Sequence, residues 1–296
     1  MSSWPPRVRC RVIRDDDSEA IADLLVKSFG RSRDFWKFGL QRLAEHPTPK
    51  GFPKYGYLLE VNGVAVGMLL LISTTTNING VAKVRCHVSS WYVWPAFRAY
   101  GTLLAAHALR RKDVTYVDIS PLSHTFTMLA AQGFTRYCDG LFITAPALKL
   151  RSPKAHVSAV TPDIAPGLDL DIDDIDLLLR HADYGLTSLV VTAGARRYPF
   201  VFEVTVKYRV VRFAYLTYCR EIDDFVRLAG PLGRYLARHG IFFAGLDANA
   251  PVPGLVGRYV TITPKFFKGP DRPRLGEVAY SERVVLGLRF PPTVES

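Results

Sequence analysis

The sequence has little cysteine, and no two cysteines lie close together. Four occur in 296 residues, Cys10, Cys86, Cys138 and Cys219, and none forms a C-x-x-C pair. That spacing argues against a disulfide framework and against a metal site built on cysteine, and it fits a reducing compartment. Long hydrophobic runs are also missing. The longest, residues 64–72, falls well short of the roughly 20 residues that a bilayer-spanning helix needs. The opening Met-Ser-Ser-Trp-Pro-Pro-Arg has no apolar core of the kind a secretory signal requires. The chain therefore reads as soluble and cytoplasmic, with no membrane span. Concentrated charge is absent too. No basic run exceeds Arg110-Arg111-Lys112, and no recognised nucleic-acid motif accompanies the basic residues, so a nucleic-acid partner is not expected.

What is present is the composition of a globular protein: 48% hydrophobic and 22% charged residues, with a net charge of +11. The length allows two domains. The excess positive charge is uneven, +8 over residues 1–150 and +3 over the remainder. A basic first half suits an anionic ligand as well as solvent.

Local patterns place the elements. Residues 7–14 alternate polar and apolar, as a half-buried strand does. Asp15, Asp16 and Asp17 then start a helix whose apolar face is Ile21, Leu24, Leu25 and Phe29, with Gly30 as its stop. A second helix carries Phe35, Trp36, Leu40 and Leu43, and a Pro-rich loop at 46–53 ends it. Strands at 55–61 and 64–72 meet at Asn62-Gly63, a strong hairpin signal, and Asn79-Gly80 is a second hairpin candidate. A strand at 84–93 leads through Trp94-Pro95-Ala96-Phe97-Arg98 into a helix with Tyr100, Leu103, Leu104, His107 and Ala108 on one face. A strand at 114–119, a helix around Phe126–Ala130 and a strand at 135–144 follow.

The strand-to-helix junction suits a phosphate, because a helix start offers main-chain N–H groups and the positive end of its dipole. Val93-x-Pro95-x-Phe97-Arg98-x-x-Gly101 resembles the acyl-CoA binding loop of the GNAT (GCN5-related N-acetyltransferase) superfamily. The element order β-α-α-β-β-β-α-β-α-β and the Gly133-Phe134 after the second helix of this run are similar to that family over residues 7–148. Ala99 and Leu103 depart from it, standing where glycine or a small residue is usual. The resemblance implies an α/β fold with a mixed sheet and helices on both faces. It implies an acetyl-CoA or longer acyl-CoA co-substrate, held by Trp91, Tyr92, Val93, Arg98, Ala99, Tyr100, Gly101, Thr102 and Leu103. It also implies an amine acceptor, a small molecule or a peptide, that attacks the thioester directly.

An alkyl amine is almost wholly protonated at pH 7, so a base is needed, and His87 and Glu60 are the candidates. The family's leaving-group tyrosine position holds Leu129. Substitute donors are Ser120, Ser123 and His124. Asp118 reads equally as a hydrogen-bonded strand-end residue, and His107 as structural. Phe35, Trp36 and Phe38 line an acceptor pocket or, for at least two of them, simply pack the helix on the sheet. With Leu129 in the tyrosine position, a protein that binds acyl-CoA or a partner without turnover is the alternative function.

The boundary falls in residues 148–170, which hold Pro153, Pro162 and Pro166 and little periodicity, giving domains 1–150 and 151–296. The second half reads as a helix at 174–183, strands at 188–192, 200–208 and 211–218, a helix at 222–238 kinked or broken at Pro231, and a strand at 241–246. Residues 265–274 read as a basic loop and 278–288 as a final strand. This half is a degenerate second GNAT-like unit or an unrelated α/β extension. Glu221, Asp223 and Asp224 at its strand–helix junction would repel a pyrophosphate.

Overall fold

A computed structural model describes residues 7–78, 80–207 and 210–288. Asn79 of the second hairpin and Tyr208 at the end of a strand lie outside the described residues. The first half runs β1 (Val8–Val12), α1 (Ser18–Phe29), α2 (Arg33–Glu45), β2 (Gly56–Val61), β3 (Val64–Ile78), β4 (Val81–Val93), α3 (Gly101–Ala108), β5 (Val114–Asp118), α4 (Phe126–Ala131) and β6 (Thr135–Thr144). The second runs β7 (His156–Ala159), α5 (Ile172–Asp183), β8 (Thr187–Ala193), β9 (Arg196–Lys207), β10 (Val211–Cys219), α6 (Ile222–Arg238), β11 (Ile241–Ala248), β12 (Gly257–Lys268) and α7 (Glu282–Val285).

Local chemistry explains the boundaries. Gly30 closes α1 in the left-handed conformation at φ 66°, which costs glycine little. Ser32 caps α2 by accepting from the Phe35 N–H. Asn62 and Gly63 both take positive φ, the pair a tight hairpin turn needs.

All the strands lie in one twelve-stranded mixed sheet, in the order β1-β2-β3-β4-β5-β12-β6-β11-β10-β9-β8-β7. The order has a symmetry. Five strands of each half occupy the two wings, and each half sends its next strand across the centre. β6 pairs with β11 of the other half, and β12 pairs with β5. In each wing one parallel pair, β4 with β5 and β10 with β11, adjoins the exchanged strands. Helices cover both faces. α3 and α4 lie over a core of Leu59, Leu69, Val88, Leu104, Tyr116 and Leu129. On the opposite face, α1, α2 and the stretch after α7 bury Ile21, Leu25, Trp36, Leu43, Leu70 and Leu286. Each fully buried side chain of this size contributes about 1.5–3 kcal/mol.

Four expectations from the sequence change. Residues 278–288 hold one helical turn, Glu282–Val285, and no strand; Val284, Val285 and Leu286 are buried, and a short apolar run does not distinguish strand from helix. α6 runs unbroken through Pro231. There Gly233 packs so tightly on the chain at 146–147 that a Cβ would lie 2.1 Å from the Ala147 nitrogen. Lys265–Lys268 belongs to β12, with Lys265 buried. The linker region contains a short strand, β7, at the sheet's far edge.

Candidate active site

Pairing along β4 is unequal on its two edges. Toward β3 it continues to Val93. Toward β5 it is confined to Val84–Val114 through His87–Val117. Beyond that point β5 ends at Asp118, and among the described residues no strand pairs with residues 88–93 on this side. The two strands splay, and over residues 88–93, roughly 20 Å of strand, the backbone groups of β4 that point away from β3 face the crevice without a strand partner. β4 also carries a bulge here. Its register against β3 slips between Met68 and Leu70, and Ser90 takes φ 49°. A non-glycine residue in this conformation is uncommon and re-aims the backbone.

The segment after β4 differs from expectation. Residues Pro95–Tyr100 wind as a 3-10 turn that runs straight into α3. The Phe97 N–H donates to the Trp94 carbonyl at 2.8 Å, and the Gly101 N–H donates to Arg98. The turn therefore lacks the row of free N–H groups the resemblance implies. Ala99, with its Cβ, favours right-handed helical backbone where glycine would leave the loop open. Arg98, Ala99, Thr102 and Leu103 are exposed, Tyr100 is half-buried and Gly101 is buried. Arg98 makes no ion pair among the described residues. Leu103 faces solvent and does not narrow the junction. Trp91 and Tyr92 are half-buried at the bulge, and Val93 is buried.

The other predicted residues separate into three places. Glu60 is not in the crevice: Arg11 holds it at 2.6 Å on the outer strands, together with Asp17. His124 is exposed in a short turn before α4, with Ser123 beside it. His87 is at the crotch where β4 leaves β5, but it is 1% exposed, with its ring against the Ala279 backbone. Burial, with Arg85 nearby, pushes its pKa down to about 3, so the ring is neutral and a weak base. His107 meets the Tyr57 ring edge-on at 4.9 Å, a packing role. Trp36 is buried, Phe35 packs on it at 5.2 Å, and Phe38 is exposed. Leu129 is buried in the α3–α4 core and cannot donate a proton.

Ser120, predicted as a donor, does stand at the crotch, and it leads to a residue the sequence did not single out. Its hydroxyl donates to Glu282 Oε1 at 2.7 Å. Its N–H donates to Asp118 Oδ1 at 3.3 Å. Glu282 is 1% exposed and its Oε2 has no partner. Burial raises its pKa; for Asp118, burial and then the charge of Glu282 push the value up to about 8. Nothing local marks Glu282, because it reaches the crotch only through the return of the chain after β12. Among the described residues no group of His, Cys, Asp and Glu could hold a metal ion, and no helix is long and apolar enough to cross a membrane.

The second wing has the same splay and a different filling. β10 pairs with β11 only through Tyr215. Its continuation is then covered by the chain itself: Tyr218 bridges Glu277, the Cys219 N–H donates to the Gly276 carbonyl at 3.0 Å, and the Val278 N–H donates to Thr217 at 2.9 Å. At the start of α6, Arg220 is tied to Asp171 and Asp174.

The sequence matches no protein-family model, and no curated relative matches it. Solved structures do resemble the fold. A GCN5-related N-acetyltransferase from Kribbella flavida superposes with a TM-score of 0.59 at 11% identity, over 88% of this chain and 71% of that one. One from Anabaena variabilis gives 0.54 at 12%, over 88% and 72%. Eis1 from Mycobacterium abscessus gives 0.51 at 12%, over 92% and 74%. The chain has the GNAT-like fold.

Proposed function

We propose that the protein transfers an acetyl or longer acyl group from CoA to an amine. The observation that carries this is the open edge of β4 between residues 88 and 93. Unpaired strand edges are normally covered, and this chain covers the equivalent edge of β10 with its own residues 276–278. An edge left open in one wing and closed in the other is suited to an extended ligand that brings its own amides. The pantetheine arm of CoA is such a ligand. Its anionic end would meet the exposed Arg98, and its thioester would reach the crotch near His87, Asp118 and Ser120. In this reading residues 1–150 form the acyl-CoA-binding unit and residues 151–296 a degenerate second copy without a cofactor. The four free cysteines suit a cytoplasmic setting.

One further reading is favoured by two features. Leu129 replaces the leaving-group tyrosine and lies in the core, and the Gly101 N–H is already used. A protein that binds acyl-CoA, or a partner, without turnover would fit them. Calorimetry with acetyl-CoA and longer acyl-CoAs, paired with a free-thiol assay over a panel of amines, separates the two. Thiol release that depends on an amine supports the transferase; binding without release supports the alternative.

A further inference from the structure

A carboxylate buried at the crotch with one oxygen unsatisfied requires an account. Glu282 lies on α7, far from β5 in sequence, and it is brought there by the segment that follows β12. Its Oε1 is held by the Ser120 hydroxyl, and its Oε2 is buried without a partner. The same serine, through its N–H, holds Asp118 at the end of β5. One residue thus bridges two carboxyl groups. Ser120 is exposed and Asp118 half-buried, whereas Glu282 is sealed. The assembly therefore spans from solvent to the interior.

An acidic pair alone would say little. Two other buried polar side chains near it also lack partners, Ser281 through Oγ and Tyr137 through its hydroxyl, and a third, His87, is buried beside the Ala279 backbone. Each of these residues is 2% exposed or less. His87 stands on β4 opposite Val117, the neighbour of Asp118. Tyr137 on β6 feels the charge of Glu282. Buried polar atoms without partners are few in folded proteins. Their gathering at the crotch, where the open edge of β4 ends, marks a place prepared for polar atoms of a ligand or of water.

We propose that Asp118 and Glu282, each hydrogen-bonded by Ser120, hold one proton between them at neutral pH and act as the acid and base of acyl transfer; this rests on the transferase reading above. The amine nitrogen bonds to the thioester carbonyl carbon. The proton it sheds passes through the Ser120 hydroxyl to Glu282. The carbon–sulfur bond breaks, and the proton on Asp118 goes to the departing sulfur. The proton on Glu282 then leaves to solvent through the exposed Ser120 hydroxyl, and the half-buried Asp118 takes one back from solvent. The products are an amide and free CoA thiol, and the pair is restored. Asp118 thereby supplies the donor that Leu129 cannot. The charges facing the pair are Lys265 from β12 and Arg283 beside it on α7. Lys265 and Arg283 are themselves paired, with Asp247 and Glu203. Two like carboxyls at one site do not both ionise readily, which keeps the shared proton in place at neutral pH.

The first test needs no turnover. Carboxyl-carbon NMR of the full chain, labelled at Asp and Glu, is followed from pH 5 to 10. One carboxyl should titrate above pH 7, and in Glu282→Gln the proton affinity of Asp118 should fall at least tenfold. If no carboxyl titrates above pH 6, or if Asp118 ignores the loss of Glu282, the pair does not exist. The second test is thiol release from acetyl-CoA with an amine panel. Asp118→Asn and Glu282→Gln should each lose about 100-fold or more in kcat, the ordinary scale of general acid–base catalysis, with acetyl-CoA affinity within about twofold. Ser120→Ala, at an exposed position that tolerates change, should shift the pH profile of kcat and spare CoA affinity. If wild type turns over and the variants keep its rate and pH profile, the catalytic role is wrong and the transferase reading stands. If wild type binds acetyl-CoA and releases no thiol with any amine, the transferase reading fails and the catalytic role fails with it.

Discussion

The two wings of the sheet meet the same structural problem and resolve it differently. In each, a parallel pair splays and leaves the end of one strand without a neighbour. Beside β10 the chain returns and lays Gly276–Glu277–Val278 along the gap. Beside β4 nothing among the described residues does so, and the polar groups around the opening are left unsatisfied. The filled wing shows what the fold does with such an edge when stability alone is at stake. The open wing departs from that solution, and buried unsatisfied groups each cost about 1–3 kcal/mol. Departures of this kind cluster at functional sites.

The comparison can be broken most forcefully at Glu277, which bridges the two wings by filling one gap and neutralising Arg85 of β4. Both side chains are under a tenth exposed and 2.8 Å apart. Glu277→Ala leaves a buried guanidinium unpaired and should destabilise the fold by about 3–5 kcal/mol in urea unfolding. A loss under about 1 kcal/mol would mean that the closure of the second wing is not held by this pair.

The next effect is acid sensitivity centred on the open wing. His87 has its pKa lowered by burial to about 3, and His46 and His181 are lowered to about 4. Their unfolded value is near 6.5, so between about pH 6.5 and 4 the unfolded chain binds more protons. Stability is therefore full above pH 6.5 and falls as pH drops through that window, by about 1.4 kcal/mol per pH unit for each histidine. Thermal melts across this range should show the fall, and His87→Leu should reduce its slope. An unchanged slope would place His87 outside the interior.

Asp118 carries the opposite sign. Its folded pKa is raised to about 8 from an ordinary 3.8, so the folded state binds the extra proton, and stability drops as pH rises from about 4 to 8. Asp118→Asn should therefore raise Tm at pH 8 and hardly change it at pH 4. A lower Tm at pH 8 would show the aspartate to be a structural anchor. The smallest effect belongs to Gly101. Its φ is −60°, and a Cβ there would meet only Val93 at 3.8 Å. Gly101→Ala should shift stability by less than about 0.5 kcal/mol, and a larger loss would mean the turn is tighter than it looks.

Much of the first wing was legible in the sequence, because its signals are local. Asn62-Gly63, the helix faces of α1 and α2, and the strand-to-helix change at Pro95 rest on neighbours within a few residues. The exchange of β6 and β12 was not legible, since periodicity tells which face of a strand is buried and not which strand lies beside it. The site divides in the same way. Ser120 and His87 were legible from their strands, although burial removes His87 as a base. Glu60 was misjudged because its partner, Arg11, lies 49 residues away. Glu282 sits in an apolar run that resembles a strand, and only the long return of the chain brings it to Ser120.

Hydrogen exchange of the backbone tests the central comparison most directly. Peptides covering residues 88–93 of β4 and 216–219 of β10 are compared in the free chain and with acetyl-CoA. The β4 peptide should exchange faster in the free chain and become protected on binding, while the β10 peptide stays protected throughout. Equal protection of the two in the free chain, or a β4 peptide that ignores bound acetyl-CoA, would contradict the account.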